Sequence, residues 1–507
     1  MKNSYSVDNK GFTAVETTIA QLQQAIKNQT SDCEQITGQF IKRIQSYDKS
    51  THLNAIILIN KNALQRAKSL DQQWQKTHKM SSLHCVPVIL KDNFNTADMP
   101  TEAGSIALKG SQPAQDAFMV KRLRDAGAII IAKSNMAEWA FSAYQTISST
   151  HGETLNAYNL DFVPAGSSGG TASAIAANFG VIGMGTDTGN SIRGPAAYLS
   201  LVGLRSTLGM TSRSGIVPLL ANRDVAGSLT RTVTDAAKTF SVLAGYDKND
   251  SITHNEVARL KTDYTIFLNK SALQGVRLGV MRQIYDTELA DFEVIDLMDQ
   301  AIVDLRQAGA VIIDPFEIKN FKTLSKATGF CSRFRYDLNQ YLNHTVFSDN
   351  TSAPIKKFQD IIEQKLFSEQ SAADMKWAEA VHIAPKMMQP PCVGVQNDPR
   401  RKAFLNAVVD AMDKANIDAI IYPSWSNPPR RVGDNNSPHG DNSPIIAPHT
   451  GQPAITVPMG YTQGNLPAGL QFLARPFDDG KLLAYAFAYE QYSLHRKAPV
   501  LFPQLIH

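Results

Sequence analysis

Between residues 86 and 185 the chain alternates short apolar runs with helical patterns, and this alternation restricts the fold more than any other feature. Residues 86–90, apolar but interrupted by Pro87, predict a buried strand leading into Lys91. Residues 119–125 predict a helix stopped at Gly127. A second buried strand is expected over 128–132 and another helix over 134–144. An Ala-rich helix over 171–179 and a strand over 181–185 follow. Strands and helices taken in turn favour an α/β fold, a mixed β-sheet covered by helices.

The pattern returns at 276–281 and 310–313, with a helix between, and at 417–422, 454–458 and 470–473. A helix over 479–492 closes it. Residues 315–415 read as mainly helical, more polar and without recognisable chemistry. Residues 424–442 are rich in Asn, Pro, Arg and Gly, and a loop of that length is either functional or mobile. No repeat or low-complexity linker divides the chain, so its 507 residues are read as a single domain. At the N-terminal end, residues 13–48 read as helical, with capping boxes at Thr13/Glu16 and Ser31/Glu34. Ile36, Phe40, Ile44 and Tyr47 form one apolar face there.

Several function classes are set aside at this point. The 50 basic and 46 acidic residues nearly balance and no basic run stands out, so no nucleic-acid partner is expected. Residues 1–10 are polar and lack the apolar stretch of a signal peptide. No apolar run approaches the roughly 20 residues that span a bilayer. A cytoplasmic location is therefore expected. Cys33, Cys85, Cys331 and Cys392 are far apart and form no C-x-x-C pair, which reads as buried free thiols rather than a disulfide framework or a zinc site. Neither a metal nor a cofactor is expected.

The chemistry concentrates in Gly166-Ser167-Ser168-Gly169-Gly170-Thr171 and in Gly185-Thr186-Asp187-Thr188-Gly189-Asn190-Ser191-Ile192-Arg193. These two loops flank one Ala-rich helix and one strand. Turned-in N–H groups in such loops make an anion cavity, suited to a phosphate or to the oxyanion of acyl transfer. A Walker loop fails for want of Gly-Lys-Ser/Thr, and a dinucleotide fingerprint begun at Gly183 and Gly185 fails at Thr188. Acyl transfer leaves two nucleophiles. Residues 166–170 match G-x-S-x-G, which nominates Ser168 in a Ser-His esterase with His382, His439 or His449 as base; Pro164, however, weakens the strand such an elbow requires. The pairs Ser46-x-x-Lys49 and Ser348-Asp349-Asn350 lack the accompanying Lys-Thr-Gly. The other nucleophile is Ser191.

Together with the preceding VPVILKDN (86–93), these loops resemble the amidase signature family. The similarity extends through AKSNMAEW (132–139), residues 201–218 and the closing TGQPAITVP and LPAGLQFLARP, and is weakest over 250–410. The resemblance implies one large mixed sheet with helices on both faces, and a catalytic triad of Ser191, Ser167 and Lys91. It implies a cis peptide at Ser167, and an oxyanion hole from the backbone N–H groups of Thr188, Gly189, Asn190 and Ser191. Gly166, Ser168, Asp187 and Arg193 are then supporting loop residues. Lys91 acts as base only when neutral, so burial must lower its pKa, and strand alternation should turn Asp92 to the opposite face. Ser167 relays the proton and Ser191 forms an acyl-enzyme. Where the family commonly has Gly, this chain has Asn190, which either narrows the acyl pocket or is a tolerated loop residue. Trp139 and Phe141 line the pocket or pack in the core, and His449 reads as structural. The implied activity is hydrolysis of small-molecule amides by a stand-alone enzyme. The alternative is the amidase component of a glutamyl-tRNA or aspartyl-tRNA amidotransferase. The oligomeric state is open, a homodimer included.

Overall fold

The structure, a computed structural model, describes residues 12–254, 263–348, 355–462 and 464–505. The polar segment 1–10, together with Asp349 and Asn350, lies outside the described residues. The strands, in chain order, are β1 (Ile56–Ile59), β2 (Pro87–Lys91), β3 (Ile129–Ser134), β4 (Thr146–Ser148), β5 (Gly152–Thr154), β6 (Ile182–Asp187) and β7 (Val202–Arg205). They continue with β8 (Val225–Thr230), β9 (Arg277–Val280), β10 (Val311–Ile313), β11 (Ala419–Pro423), β12 (Ala454–Tyr461) and β13 (Pro467–Leu473). β4 and β5 pair on their own, and the other eleven form one sheet in the order β1-β3-β2-β6-β8-β7-β12-β13-β11-β9-β10.

The sheet is mixed. β2 lies between β3 and β6 and runs parallel to both, and β10 and β11 flank β9 in parallel. The strands from β6 through β8, β7, β12 and β13 to β11 alternate in direction. Every residue of β2, β3 and β6 is buried, which explains their near-continuous apolar runs. Helices cover both faces. One large apolar cluster gathers the Ala-rich helix Gly169–Ala176 and the helix Cys33–Tyr47 around β2 and β3. A second gathers Phe292–Gln307 and Asp479–Ser493 around β9, β11 and β12. A third joins Trp139 to Phe334, Phe358 and Met375, tying the helical stretch expected at 315–415 to the loops beside the sheet.

Three expectations are corrected. Residues 134–144 form no helix beyond the short 3-10 turn Glu138–Ala140, where Trp139 and Ala140 have φ of 54° and 65°. The backbone there spends its N–H groups on other segments, with Ala137 donating to Ser167 O and Trp139 to Ala103 O. The N-terminal helical stretch is two helices, Ile19–Lys27 and Cys33–Tyr47, each capped by neighbours of the expected residues. Thr18 and Gln21 form the first capping box, and the Asp32 carboxylate accepts from Gln35 N–H at the second start. Glu16 instead pairs with Arg496 at 2.8 Å. Lastly, the cysteines are not free thiols: Cys33–Cys85 and Cys331–Cys392 are disulfides, with Cα–Cα separations of 5.3 and 5.9 Å. Partners 52 and 61 residues apart meet only through the tertiary fold, so local spacing carried no sign of them. Cys33, His84 and Cys85 have metal-capable atoms within 4.8 Å of one another, but both sulfurs are consumed by the disulfide.

Candidate active site

Because β2 and β6 are parallel neighbours, their carboxyl ends open on one edge of the sheet, where open α/β sheets leave a crevice. β2 ends in Lys91. β6 ends at Asp187 and passes through residues 188–191 into the helix Arg193–Tyr198. Ser167 and Ser168 precede the helix Gly169–Ala176. The Gly166–Ser167 peptide is cis. The glycines of this loop permit close backbone approach at ordinary φ. A Cβ on Gly170 would lie 2.2 Å from Asn135 O, and one on Gly166 2.5 Å from Gln145 O.

Lys91 is fully buried. Its Nζ donates to Ser167 Oγ at 2.7 Å and to Thr186 Oγ1 at 2.9 Å. Burial lowers its pKa to about 7, against the opposing pull of the Asp224 and Asp187 carboxylates. Asp92 does face away: it accepts from Glu102 N–H and Gly104 N–H and lies 3.9 Å from the buried Lys133. Burial pushes Asp92 up and Lys133 down. Lys133 donates to Phe94 O and Thr101 Oγ1, away from the serines.

The two loops touch where Ser168 N–H donates to Ser191 O at 3.3 Å. Ser191 is 5% exposed, and its hydroxyl donates to Asn190 Oδ1 at 3.4 Å. No hydrogen bond joins the hydroxyls of Ser191 and Ser167 in this conformation. The N–H groups of Gly189, Asn190 and Ser191 donate to no other described residue. Arg193 explains part of that arrangement. Its Nη2 holds Gly189 O at 2.5 Å, which turns the Asn190 N–H of the same trans peptide to the opposite side.

Arg193 is itself fixed by Asp187, at 3.0 Å, and also donates to Ser443 O and Gln471 Oε1. Arg205 makes a second ion pair with Asp187 at 2.9 Å. Burial would raise the Asp187 carboxyl, but the Arg193 and Arg205 guanidiniums outweigh it and hold the pKa at about 2. Asn190 Nδ2 donates to Ala143 O at 3.4 Å, linking the nucleophile loop to the 142–145 loop.

Sequence reasoning missed three neighbours. Thr186 Oγ1 accepts from both Lys91 and Asn93 Nδ2, the latter at 3.0 Å. Asp224 accepts from Thr188 Oγ1 at 2.5 Å and from the N–H groups of Leu219 and Leu220. Alternation along β6 was the signal available for Thr186. Asp224 lies just before β8, the antiparallel neighbour of β6, and no local signal marked it. A cavity of about 810 Å³ adjoins these residues, lined by Asn93, Thr186, Thr188, Asp224 and others.

Other nominated residues stand apart from the reacting groups. Ser168 Oγ donates to Thr186 O at 3.3 Å, and no described histidine hydrogen-bonds to it, so the Ser-His arrangement is not assembled. His449 Nδ1 lies 2.7 Å from Thr328 O and is buried beside Arg223, which pushes its pKa well down in addition to the effect of burial. Trp139 packs on Phe334 at 5.5 Å with 1% exposure, which makes it a core residue. Phe141, partly exposed, also packs on Phe334.

The amidase family profile matches residues 35–483. A probable amidase of Arabidopsis thaliana is 32% identical, covering 96% of this chain and 92% of its own length. The amidase-related component of the glutamyl-tRNA(Gln) amidotransferase of Thermoanaerobacter pseudethanolicus is 30% identical, covering 94% and 96%. The crystal structure of native peptide amidase from Stenotrophomonas maltophilia superposes with a TM-score of 0.83 at 32% identity, covering 96% of this chain and 99% of that one. With a family match over most of its length and relatives above 30% identity along nearly all of it, the chain belongs to the amidase signature family.

Proposed function

We propose that the chain works as one domain and hydrolyses the C–N bond of linear carboxylic amides, with Ser191 as nucleophile, Ser167 as relay and Lys91 as base. The observation that carries this reading is the buried Lys91 amine held 2.7 Å from Ser167 Oγ. At a pKa of about 7 roughly half of the lysine is neutral at pH 7, where a free lysine would be almost wholly charged. Rotation of the Ser191 hydroxyl from Asn190 Oδ1 toward Ser167 completes the relay: Ser191 passes its proton to Ser167, and Ser167 passes one to Lys91. The alkoxide attacks the amide carbon and the carbonyl oxygen becomes an oxyanion. The uncommitted N–H groups of Gly189, Asn190 and Ser191, with Thr188 beside them, are the donors suited to it, each worth on the order of 3 kcal/mol. The proton returns to the leaving nitrogen as the C–N bond breaks, and water then releases the acyl group from Ser191 by the same route.

The test is turnover of acetamide, benzamide, glutamine and a C-terminal peptide amide by the purified chain alone. Ser191→Ala should reduce it by at least 10³-fold, as loss of a nucleophile does; undiminished turnover would sink the reading. The relatedness to amidotransferase components supports a second reading, release of ammonia for a partner. Hydrolysis without partners favours the stand-alone enzyme, and strict dependence on partner chains favours the amidotransferase component. The disulfides Cys33–Cys85 and Cys331–Cys392 favour an oxidising compartment over the cytoplasm expected from the N-terminal sequence.

A further inference from the structure

Of residues 186–193, Gly189 is the one that is not buried, so the nucleophile loop is reached from outside at Gly189. Two apolar groups stand at that point. A Cβ on Gly189 would lie 3.5 Å from the Phe330 ring and 3.5 Å from Pro444. Phe330 is 43% exposed, yet it is far from loosely held. The guanidinium of Arg223, itself 1% exposed, sits 4.5 Å from its ring centroid, and the His449 ring meets it edge-on at 5.2 Å.

The chain on either side of Phe330 is tied down as well. Arg223 Nη2 donates to Thr328 O at 2.8 Å and Gly329 O at 3.1 Å, and Cys331 is bonded to Cys392. The far side of that disulfide is anchored in turn. Arg333 donates to Cys392 O, and both Asn222 and Arg401 donate to Val393 O. A rigidly mounted ring with one face on a cation and the remainder open to the approach is a recognition surface rather than core packing.

We propose that Phe330 is a specificity-determining residue, an apolar wall clamped by Arg223 and by the Cys331–Cys392 disulfide, which selects amides bearing an aromatic or bulky apolar substituent beside the scissile carbonyl. This rests on the reading of Ser191 as nucleophile. Its substrate has to pass Gly189, and a planar group beside the carbonyl lies against the exposed part of the ring. A methyl group in the same place leaves that surface wet. The wall therefore raises kcat/KM for aryl and arylalkyl amides relative to acetamide.

The test compares benzamide, phenylacetamide, N-benzylacetamide and acetamide in the wild type, Phe330→Ala, Phe330→Leu and the double variant Cys331→Ser/Cys392→Ser. Labelling of Ser191 by a small fluorophosphonate establishes that each variant is folded. The kcat/KM ratio of the aromatic amides to acetamide should fall about tenfold in Phe330→Ala, in line with loss of one aromatic contact, and less in Phe330→Leu. Benzamide and phenylacetamide against N-benzylacetamide report whether the acyl or the amine side meets the wall. A ratio unmoved in both Phe330 variants overturns the wall. A ratio unmoved in the double serine variant overturns the clamp. Failure of the underlying reading shows separately, as turnover that survives Ser191→Ala.

Discussion

Lys91 Nζ lies 2.7 Å from Ser167 Oγ at the end of a strand buried on both faces, and Ser167 and Thr186 are its two hydrogen-bond partners among the described residues. The amine is therefore held by hydroxyls, which tolerate its neutral form, rather than by a carboxylate, which would keep it charged.

The first prediction concerns pH. Activity requires neutral Lys91, so kcat/KM should rise with pH through an apparent pKa near 7. Stability follows the same group. Between about 7 and 10 the unfolded chain holds more protons at residue 91 than the folded one, so stability rises with pH there, and the cost of the buried lysine is fully present below about 7. Lys91→Met should be inactive and should gain more in Tm over the wild type at pH 6 than at pH 9. An acid limb near 10, or a Tm difference independent of pH, would contradict the neutral lysine.

Asp224 supports the second prediction. Its carboxylate raises the Lys91 pKa and also anchors Thr188 Oγ1, the first residue of the nucleophile loop. Asp224→Asn removes the charge while keeping an acceptor. The acid limb of kcat/KM should move to lower pH, and kcat should fall more than KM rises, because the loop donors act on the developing oxyanion. An unshifted limb would show that Asp224 acts only on the loop.

Much of this site was legible in the sequence, and the reasons are local. Lys91 ends an apolar strand, and residues 166–171 and 185–193 are short segments whose Gly/Ser content has few structural uses. Their placement beside one another follows from parallel pairing of β2 with β6, which the alternating pattern already favoured. What stayed hidden depends on long-range contact. Asp224 reaches Thr188 from 36 residues away, and Cys331 reaches Cys392 across the helical region. The helix expected at 134–144 fails for the same reason. Its apolar spacing is genuine, but Trp139 and Ala140 turn to positive φ so that the backbone can serve Ala103 and Ser167.

Asn190 carries the third prediction. Its Oδ1 accepts the Ser191 hydroxyl and its Nδ2 reaches Ala143 O, so the side chain occupies space beside the nucleophile that a glycine leaves open. Asn190→Gly should broaden acyl tolerance, measured as flatter kcat/KM across acetamide, butyramide and benzamide. An unchanged profile would reduce Asn190 to a tolerated loop residue.

The last prediction tests what holds the loop. Asp187 is buried between Arg193 and Arg205, with ion-pair distances of 3.0 and 2.9 Å. Arg205 Nη1 also donates to the Asp187 carbonyl. Breaking a buried pair by neutralising one partner is costly because the remaining charge keeps its desolvation penalty, typically about 3–5 kcal/mol. Asp187→Asn leaves two buried guanidiniums facing an amide, and the loss should fall in that range at pH 7, read by chemical denaturation. The sign with pH is set by a folded pKa of about 2, depressed below the ordinary aspartate value. The stabilisation is fully present above about pH 4 and is lost as pH falls through about 2, so wild type and variant should converge only in strong acid. Fluorophosphonate labelling of Ser191 should slow as well, since Arg193 freed from Asp187 no longer fixes the Gly189 carbonyl. Equal stability of the two proteins at pH 7 would mean that the loop is held by its hydrogen bonds to Ser443 and Gln471 rather than by the charge pair.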